Sequence, residues 1–230
     1  MSTDKPTLGI VGGTGALGSA IAWRAARAGY PTVIGSRDSE RAAAAAAETA
    51  QRLPAGARIS GLSNRDAAAA SEIVFVTVPY ASHKATLEDI REAVSGKLLV
   101  DTTVPLVPPK VATYQAPGKG TASLEAAEIL DSSTAIVSAM QNVAAHKLAE
   151  DIEVDCDVLV CGDALAARQQ VIDILADIGL RGLHAGGLAN AAAAEALTSI
   201  LIGINKRYKV DGAGIRITGE LIPPEPAQGA

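Results

Sequence analysis

Residues 7–37 read TLGIVGGTGALGSAIAWRAARAGYPTVIGSR, and this stretch decides the fold. A short apolar run at 8–11 meets a glycine cluster, and a helix-like segment follows it. A second apolar run at 32–34 then ends in Gly35-Ser36-Arg37. This order of strand, glycine turn, helix and strand is the one that a dinucleotide-binding βαβ unit requires.

The glycines of this stretch have the spacing G-x-G-x-x-G, with Gly13, Gly15 and Gly18 at the three positions. The first allows a tight turn, the second lets a pyrophosphate approach the backbone, and the third lets the helix pack closely on the strand. A helix N-terminus also presents free N–H groups to phosphates. We therefore expect the phosphates to lie against five backbone N–H groups, those of Gly13, Thr14, Gly15, Ala16 and Leu17. The alternative is a glycine-rich turn in an α/β domain that binds no nucleotide.

The end of the second strand distinguishes NADP from NAD. An NAD site usually has Asp or Glu there, which accepts hydrogen bonds from the ribose hydroxyls. This chain has Ser36 and Arg37, with Arg41 one helical turn further on. A guanidinium pairs with a phosphate, whereas a carboxylate would repel it, so we expect NADP. The alternative is that Arg37 and Arg41 are solvated charges at the start of an alanine-rich helix.

Composition excludes several classes of function. The chain has 230 residues, of which 48% are hydrophobic and only 3% aromatic, so its core must consist mainly of aliphatic residues. A net charge of −5 argues against nucleic acid as a partner. We expect no membrane span and no signal peptide, because no apolar run is long enough. Three scattered histidines and two cysteines that form no CxxC pair predict no metal site, and reduced thiols in the cytoplasm.

Strand-like and helix-like segments alternate up to about residue 140, which predicts a parallel sheet covered by helices on both faces. We therefore expect an α/β fold, a Rossmann-type doubly wound parallel sheet over 1–143, with a small C-terminal α+β domain over 144–230. In the second part we predict strands at 158–160 and 180–183, helices at 164–178 and 190–206, and a terminal strand at 212–218. The tail from Glu220 onward, ELIPPEPAQGA, is expected to be frayed or an exchange arm.

Several segments together resemble the family of F420-dependent NADP reductases. They are IVGGTGALG (10–18), IGSR with Arg41 (34–41), ISGLSNRDAAAASEIVFVTVPY (59–80), VDTTVPL (100–106), AAEIL (126–130), VSAMQNVAA (137–145), DVLVCGD (157–163), AGGLANA (185–191) and AGIRITG (213–219). The resemblance covers nearly the whole chain in the family's order. It implies a Rossmann domain with a small C-terminal domain, a homodimer, and hydride exchange between NADP(H) and the deazaflavin coenzyme F420.

Such a reaction needs the positioning of two rings more than side-chain chemistry, because the carriers perform the organic step. Ligands of a doubly wound sheet lie at the carboxyl ends of its strands. We therefore expect Val78 and Pro79 under the nicotinamide ribose. Thr102, Thr103 and Ala139 are expected near the ring, although simple core packing is an equal alternative for Val78 and Ala139.

A few other polar residues have two interpretations each. Family members often carry His where this chain has Gln141, so a histidine role in proton transfer is in doubt. We interpret His146 as a partly exposed helix residue, Cys161 as a small buried hydrophobe, and Asp163 as a helix cap. A basic cluster at Lys206, Arg207 and Lys209 suits either the acidic tail of F420 or a helix C-terminus.

Two other functions remain open. One is an NADP-dependent reductase of another carrier or of a small carbonyl or imine, which would need a proton donor such as Tyr80 or His83. The other is an NADP-binding module without catalysis. A fold does not determine function, and so these alternatives stand beside hydride transfer to F420.

Overall fold

The computed structural model describes residues 5–222. The strands are β1 Leu8–Val11, β2 Thr32–Ser36, β3 Ile59–Ser63, β4 Ile73–Val76, β5 Leu98–Asp101, β6 Ala135–Ser138, β7 Asp157–Val160 and β8 Arg181–His184. The helices are α1 Ala16–Arg27, α2 Ser39–Ala50, α3 Asn64–Ala69, α4 Tyr80–Ile90, α5 Ala122–Ile129, α6 Ala145–Leu148, α7 Leu165–Asp177 and α8 Ala191–Tyr208, the last preceded by a 3₁₀ turn, Leu188–Asn190.

Six parallel strands form the main sheet in the order β3-β2-β1-β4-β5-β6. The order reverses between β1 and β4, which is the switch point where doubly wound sheets bind ligands. Strand β4 is a continuous apolar run, Ile-Val-Phe-Val, and all its residues are buried, as expected of a strand covered on both faces. The predicted Rossmann-type α/β fold is therefore confirmed.

The C-terminal part adds a second βαβ unit. Strands β7 and β8 pair in parallel around α7, and one antiparallel bridge joins this pair to the main sheet, between Ser138 and Cys161. The backbone of these two residues exchanges hydrogen bonds of 2.8 and 3.0 Å. The small sheet thus continues the edge of the large one.

The predicted strand at 212–218 is wrong. This segment forms no strand, and two hydrogen bonds attach it to β7. Asp157 N–H donates to Ile215 O at 2.8 Å, and Ile217 N–H donates to the Asp157 carboxylate at 2.6 Å. A side-chain oxygen takes the place of a backbone acceptor at the second bond, so no ladder forms. The predicted tail at 223–230 lies outside the described residues.

A buried arginine joins the two parts of the chain. Arg24 on α1 is 9% exposed, and its guanidinium donates to four backbone carbonyl oxygens, those of Leu148 (2.7 Å), Glu150 (2.7 Å), Ile152 (2.8 Å) and Ile178 (3.0 Å). Burial lowers the pKa of Arg24. Four charge-assisted hydrogen bonds compensate for its removal from water.

Helix α8, with 18 residues, is the longest helix of the described chain. With its preceding turn (188–208) it is the one segment of the described chain that could cross a membrane by length and composition, which is weak grounds by itself. Its Glu195 is buried and hydrogen-bonded to α5. Its Ile200 and Tyr208 are exposed. The helix therefore has one face on the protein and one apolar face outside.

We expect Arg24→Met to destabilise the protein by at least about 2 kcal/mol, since each carbonyl left buried without a donor costs about 1–3 kcal/mol. Urea denaturation followed by circular dichroism measures the change. Arg27→Met, on the same helix, is the matched control, because Arg27 makes an exposed ion pair with Asp151 that contributes little. An Arg24→Met variant as stable as Arg27→Met would contradict this role.

Candidate functional site

The glycine turn between β1 and α1 is held by close backbone packing. A Cβ atom at Gly13 would lie 2.6 Å from Ile10 O, and one at Gly18 would lie 2.5 Å from Thr77 Oγ1. Gly15 differs from both, because the nearest atom to its Cβ would be Gly12 O at 3.4 Å, an ordinary contact. The fold itself thus requires glycine at 13 and 18, whereas position 15 is free to serve a ligand.

Not all the expected backbone donors are available. Gly13 N–H already donates to Ile10 O and Gly35 O, and Gly15 N–H donates to Gly12 O at 3.0 Å. This corrects the expectation that five N–H groups face the phosphates, because two of them close the turn itself. Ala16 and Leu17 open α1, where N–H groups have no intrahelical acceptor, and no acceptor within residues 5–222 is found for Thr14 N–H. Three donors therefore remain for an anion.

A cavity of about 460 Å³ opens beside Thr14 and Gly15, whereas Gly13, Ala16 and Leu17 do not line it. It runs from the glycine turn along the carboxyl ends of β2 and β4. Its lining residues are Gly12, Thr14, Gly15, Ser36, Arg37, Asp38, Arg41, Asn64, Thr77, Val78, Pro79, Ser82 and Thr86. The structure thus brings together most of the residues that the sequence singled out for nucleotide binding.

The β2 end of the cavity carries the two arginines. Arg37 and Arg41 are exposed, and Ser36 is buried, with its hydroxyl accepting the Asp38 N–H at 3.2 Å. Asp38 also lines the cavity, but its carboxylate caps α2 by accepting the N–H groups of Glu40 and Arg41. Because that carboxylate is engaged by the helix terminus, the free charges at this end are the guanidinium groups.

Several lining residues were given no individual role by the sequence analysis. Asn64 is buried, and its Oδ1 accepts the Gly12 N–H at 3.1 Å, which ties α3 to the glycine turn. Thr77 donates its hydroxyl to Val11 O at 2.9 Å. Ser82 and Thr86 reach the cavity from α4. The available signal was position, since Asn64 and Thr77 directly follow strands at the carboxyl edge of the sheet.

Val78 and Pro79 line the cavity at the end of β4, whereas Thr102, Thr103 and Ala139 do not line it. These three are buried at the carboxyl ends of β5 and β6. Thr102 donates its hydroxyl to Val76 O at 2.9 Å, and Thr103 N–H donates to Asp101 Oδ1 at 3.0 Å. They lie on the sheet edge next to the cavity and face the interior in this structure.

The two candidate proton donors are already engaged. His83 is 1% exposed, and its Nε2 lies 2.9 Å from Asp101 Oδ2. Burial lowers the pKa of His83, but the hydrogen bond and charge of Asp101 outweigh it and raise that pKa overall. Burial and a 2.9 Å hydrogen bond to Glu125 raise the pKa of Tyr80 to about 12. Neither side chain is free to give a proton to a substrate.

Helix α8 is anchored to this edge by a buried carboxylate. Glu195, 1% exposed, accepts the N–H groups of Ala122 (2.8 Å) and Ser123 (3.3 Å). Burial raises the pKa of Glu195 to about 7, although these hydrogen bonds oppose the rise. Asn142 Nδ2 donates to Ala194 O at 2.9 Å, so the loop after β6 is attached as well. The sequence analysis did not identify Glu195. The signal that could have indicated it is that Glu195 is the one charged residue in the run 191–205.

The remaining candidates have structural roles. His146 is exposed and pairs with Asp211 at 2.9 Å, as its interpretation as a surface helix residue predicts. Cys161 is buried, and burial raises the pKa of its thiol to about 11. Asp163 is not a helix cap: Ala164 precedes α7, and Asp163 Oδ1 instead accepts the Leu188 N–H at 2.9 Å.

Within residues 5–222 no group of three or more His, Cys, Asp or Glu side chains is arranged to hold a metal ion. Lys206 and Arg207 are exposed in the last turn of α8, and Lys209 follows in the left-handed conformation with φ 56°. Their position at a helix C-terminus suits the dipole, and their exposure leaves them accessible to an acidic ligand.

The family model described as NADP oxidoreductase, coenzyme F420-dependent, matches residues 7–105. F420-dependent NADP reductases of Methanothermobacter thermautotrophicus and Methanocaldococcus jannaschii are each 38% identical to this chain. Each alignment covers 92% of this chain, with 94% and 97% of the relatives. A crystal structure from Arthrobacter, described as a candidate F420-dependent NADP reductase, superposes with a TM-score of 0.76 at 25% identity, covering 93% of this chain and 98% of that one. The chain belongs to the family of F420-dependent NADP reductases.

Proposed function

We propose that this protein transfers a hydride between NADP(H) and coenzyme F420. The observation that carries the proposal is the near-full-length similarity to reductases of this name, which extends over both the cavity and the C-terminal part. The cavity supports the NADP half independently, because its lining includes Thr14 and Gly15 of the glycine turn together with the two arginines Arg37 and Arg41. The two candidate proton donors, Tyr80 and His83, are both held in hydrogen bonds to carboxylates, which favours hydride exchange over reduction of a small carbonyl or imine.

The residues present fit a dinucleotide. In this proposal Thr14, Ala16 and Leu17 hold the pyrophosphate through their N–H groups, and Gly15 leaves room for it. Ser36, Arg37 and Arg41 bind the 2′-phosphate. Gly13 serves the site indirectly by closing the turn. Val78 and Pro79 support the nicotinamide ribose on the β4 side of the cavity.

The ring end is proposed to lie against the carboxyl ends of β4, β5 and β6. Pro79, Thr102, Thr103 and Ala139 would position the two rings there and exclude water. When bound, the nicotinamide supplies the hydride at C4 and the deazaflavin accepts it at C5. The chain contributes geometry, which can lower a barrier by several kcal/mol, about 7 or more in favourable intramolecular cases.

The proposal also covers location and assembly. We divide the chain into an NADP-binding domain, 1–143, and a C-terminal domain, 144–230, that supplies the acceptor side and the dimer contact. Two buried free thiols, Cys156 and Cys161, suit the cytoplasm. The buried Glu195 favours packing of α8 on protein over insertion in a membrane. The basic cluster at 206–209 would accept the acidic tail of F420.

Isotope transfer tests the reaction. With NADPH deuterated at both C4 positions, we expect the F420 absorbance to bleach and deuterium to be retained at C5 of the product, because a C–H hydride does not exchange with water. Mass spectrometry of reduced F420 measures the label. Absence of bleaching, or appearance of the label in solvent, would reject direct hydride transfer to F420.

We expect a large preference for NADPH over NADH that depends on Arg37. Arg37→Ala should weaken NADPH binding by about 1.5–3 kcal/mol, the range for a hydrogen bond to a charged group, and change NADH binding little. Fluorescence titration of each nucleotide measures this. Arg65→Ala is the control, since Arg65 is an exposed arginine paired with Glu92 away from the cavity lining. Equal affinity of the wild-type protein for NADH and NADPH would contradict the assignment.

Gly15→Val should abolish NADP binding while the protein still folds. The new side chain meets little protein but occupies the approach of the pyrophosphate. Gly18→Val should instead prevent folding, because its Cβ would overlap Thr77 and Gly13. Circular dichroism melts and nucleotide titrations separate the two results. A folded Gly15→Val variant with unchanged NADP affinity would remove the turn from the site.

We propose a homodimer that covers the outer face of α8. Ile200 is 53% exposed and Tyr208 is 73% exposed, and Val210, Ile217 and Ile222 add apolar surface near the same end of the chain. Exposed apolar groups of this kind mark interaction surfaces. Sedimentation at micromolar concentration should give twice the mass of 23.3 kDa, and Ile200→Glu should halve it. A wild-type monomer would exclude this assembly.

A further inference from the structure

Three buried side-chain atoms of residues 5–222 have no hydrogen-bond partner: Trp23 Nε1, Thr103 Oγ1 and Gln141 Oε1. The last two lie close together in the fold, because they follow the neighbouring strands β5 and β6, whose last residues, Asp101 and Ser138, are paired in register. Buried polar atoms are nearly always hydrogen-bonded, and an exception requires an explanation such as a ligand. Both atoms are at the carboxyl edge, next to the cavity that we assign to NADP.

The orientation of the Gln141 amide is fixed by its neighbours. Gln141 Nε2 donates to Asp101 O at 2.9 Å and contacts Ser138 Oγ at 2.8 Å. A backbone carbonyl can only accept, so the nitrogen must be on that side. Gln141 Oε1 is therefore held on the opposite side as an acceptor, and it requires an N–H or O–H donor.

Thr103 is fixed in a similar way. Its backbone N–H donates to Asp101 Oδ1 at 3.0 Å, and the other oxygen of that carboxylate contacts His83 at 2.9 Å. The hydroxyl of Thr103 is left free, and it can donate to a ligand carbonyl or accept from an N–H. Asp101 thus anchors both residues, one through its carbonyl and one through its carboxylate.

We propose, resting on the proposed function, that Gln141 Oε1 and Thr103 Oγ1 bind the amide edge of a redox ring, meaning an N–H group beside a C=O group. Gln141 accepts from the N–H, and the Thr103 hydroxyl donates to the C=O. The carboxamide of nicotinamide and the imide of a deazaflavin both carry this edge. The two residues thereby set the rotation of that ring at the sheet edge.

Access to these atoms requires a local movement, since both are closed to solvent here. We place that movement in segment 104–120, which starts directly after Thr103. Among the described residues its hydrogen bonds join members of the segment itself, as from Tyr114 Oη to Gly120 O, apart from the ion pair of Lys119 with Glu128. Few hydrogen bonds therefore need to break for the segment to move.

Thr103→Val tests the proposal because valine keeps the shape and removes only the unpartnered hydroxyl. We expect its apoprotein to melt at the wild-type temperature or above, since an unsatisfied buried group is lost. Binding of one carrier should weaken about 5- to 10-fold, the effect of one hydrogen bond. Thr134→Val is the matched control: Thr134 is also buried, but its hydroxyl donates to Val94 O at 3.1 Å near the opposite edge. That variant should melt lower and bind both carriers normally.

Equilibrium fluorescence titrations with NADPH alone and with F420 alone identify which ring is bound. A ligand lacking the N–H gives a second measurement: the 3-acetylpyridine analogue of NADP for the carboxamide, and an N3-methylated deazaflavin for the imide. The wild-type protein should discriminate against one analogue, and Gln141→Leu should lose that discrimination. Because this comparison is a ratio of affinities, it remains informative if Gln141→Leu is less stable.

Unchanged affinity of Thr103→Val for both carriers would overturn the proposal, as would equal discrimination by Gln141→Leu and the wild-type protein. A loss for both carriers that accompanies a lower melting temperature would also overturn it, since that is a defect of folding. These are binding measurements on separate carriers. If the wild-type protein transfers no hydride to F420, the proposed function fails, while the NADPH titrations still decide the present inference.

Discussion

The close approach of α1 to the sheet is the constraint on which the rest of the site depends. At Gly18 the helix lies so close to the sheet that an added Cβ atom would be only 2.5 Å from Thr77 Oγ1. Gly13 closes the turn that leads into the helix. This packing fixes the first residues of α1 over the ends of β1 and β4. The free N–H groups of Thr14, Ala16 and Leu17 are thereby held near the switch point of the sheet. A doubly wound parallel sheet has a crevice at that point.

The two sides of this crevice have different character. The side toward β2 is open and carries exposed arginines, so a phosphate bound there would keep contact with water and be held by charge. The side toward β5 and β6 is closed and contains hydrogen bonds around the buried Asp101–His83 pair. A dinucleotide spanning both sides would be anchored by charge at one end and aligned by shape and hydrogen bonds at the other.

The sequence predicted the sheet well, and most of the residues it singled out for a nucleotide line one cavity, because both depend on local patterns. Three such patterns are the glycine spacing, the apolar run of β4 and the arginines after β2. In each, the residues that form the pattern are the same residues whose structure it predicts. The hydrogen bonding of the glycine turn was harder to predict. Nothing in the sequence showed that the N–H groups of Gly13 and Gly15 donate to backbone carbonyls of the protein itself. Asp163 and the segment 212–218 were misassigned because their partners, Leu188 and Asp157, lie far away along the chain. Glu195 depends on a contact across 72 or 73 residues, which no local pattern reveals.

The four carbonyls held by Arg24 have a consequence for how the two parts of this chain can vary. The guanidinium is on α1, the helix that begins at the glycine turn, and its acceptors belong to residues 148–178. A chimera that joins the first 143 residues to the C-terminal part of a relative would have to reproduce those carbonyl positions. Otherwise the buried Arg24 guanidinium would lose its hydrogen-bond acceptors. The halves are therefore not interchangeable modules, and substitutions on one side of the junction restrict those accepted on the other.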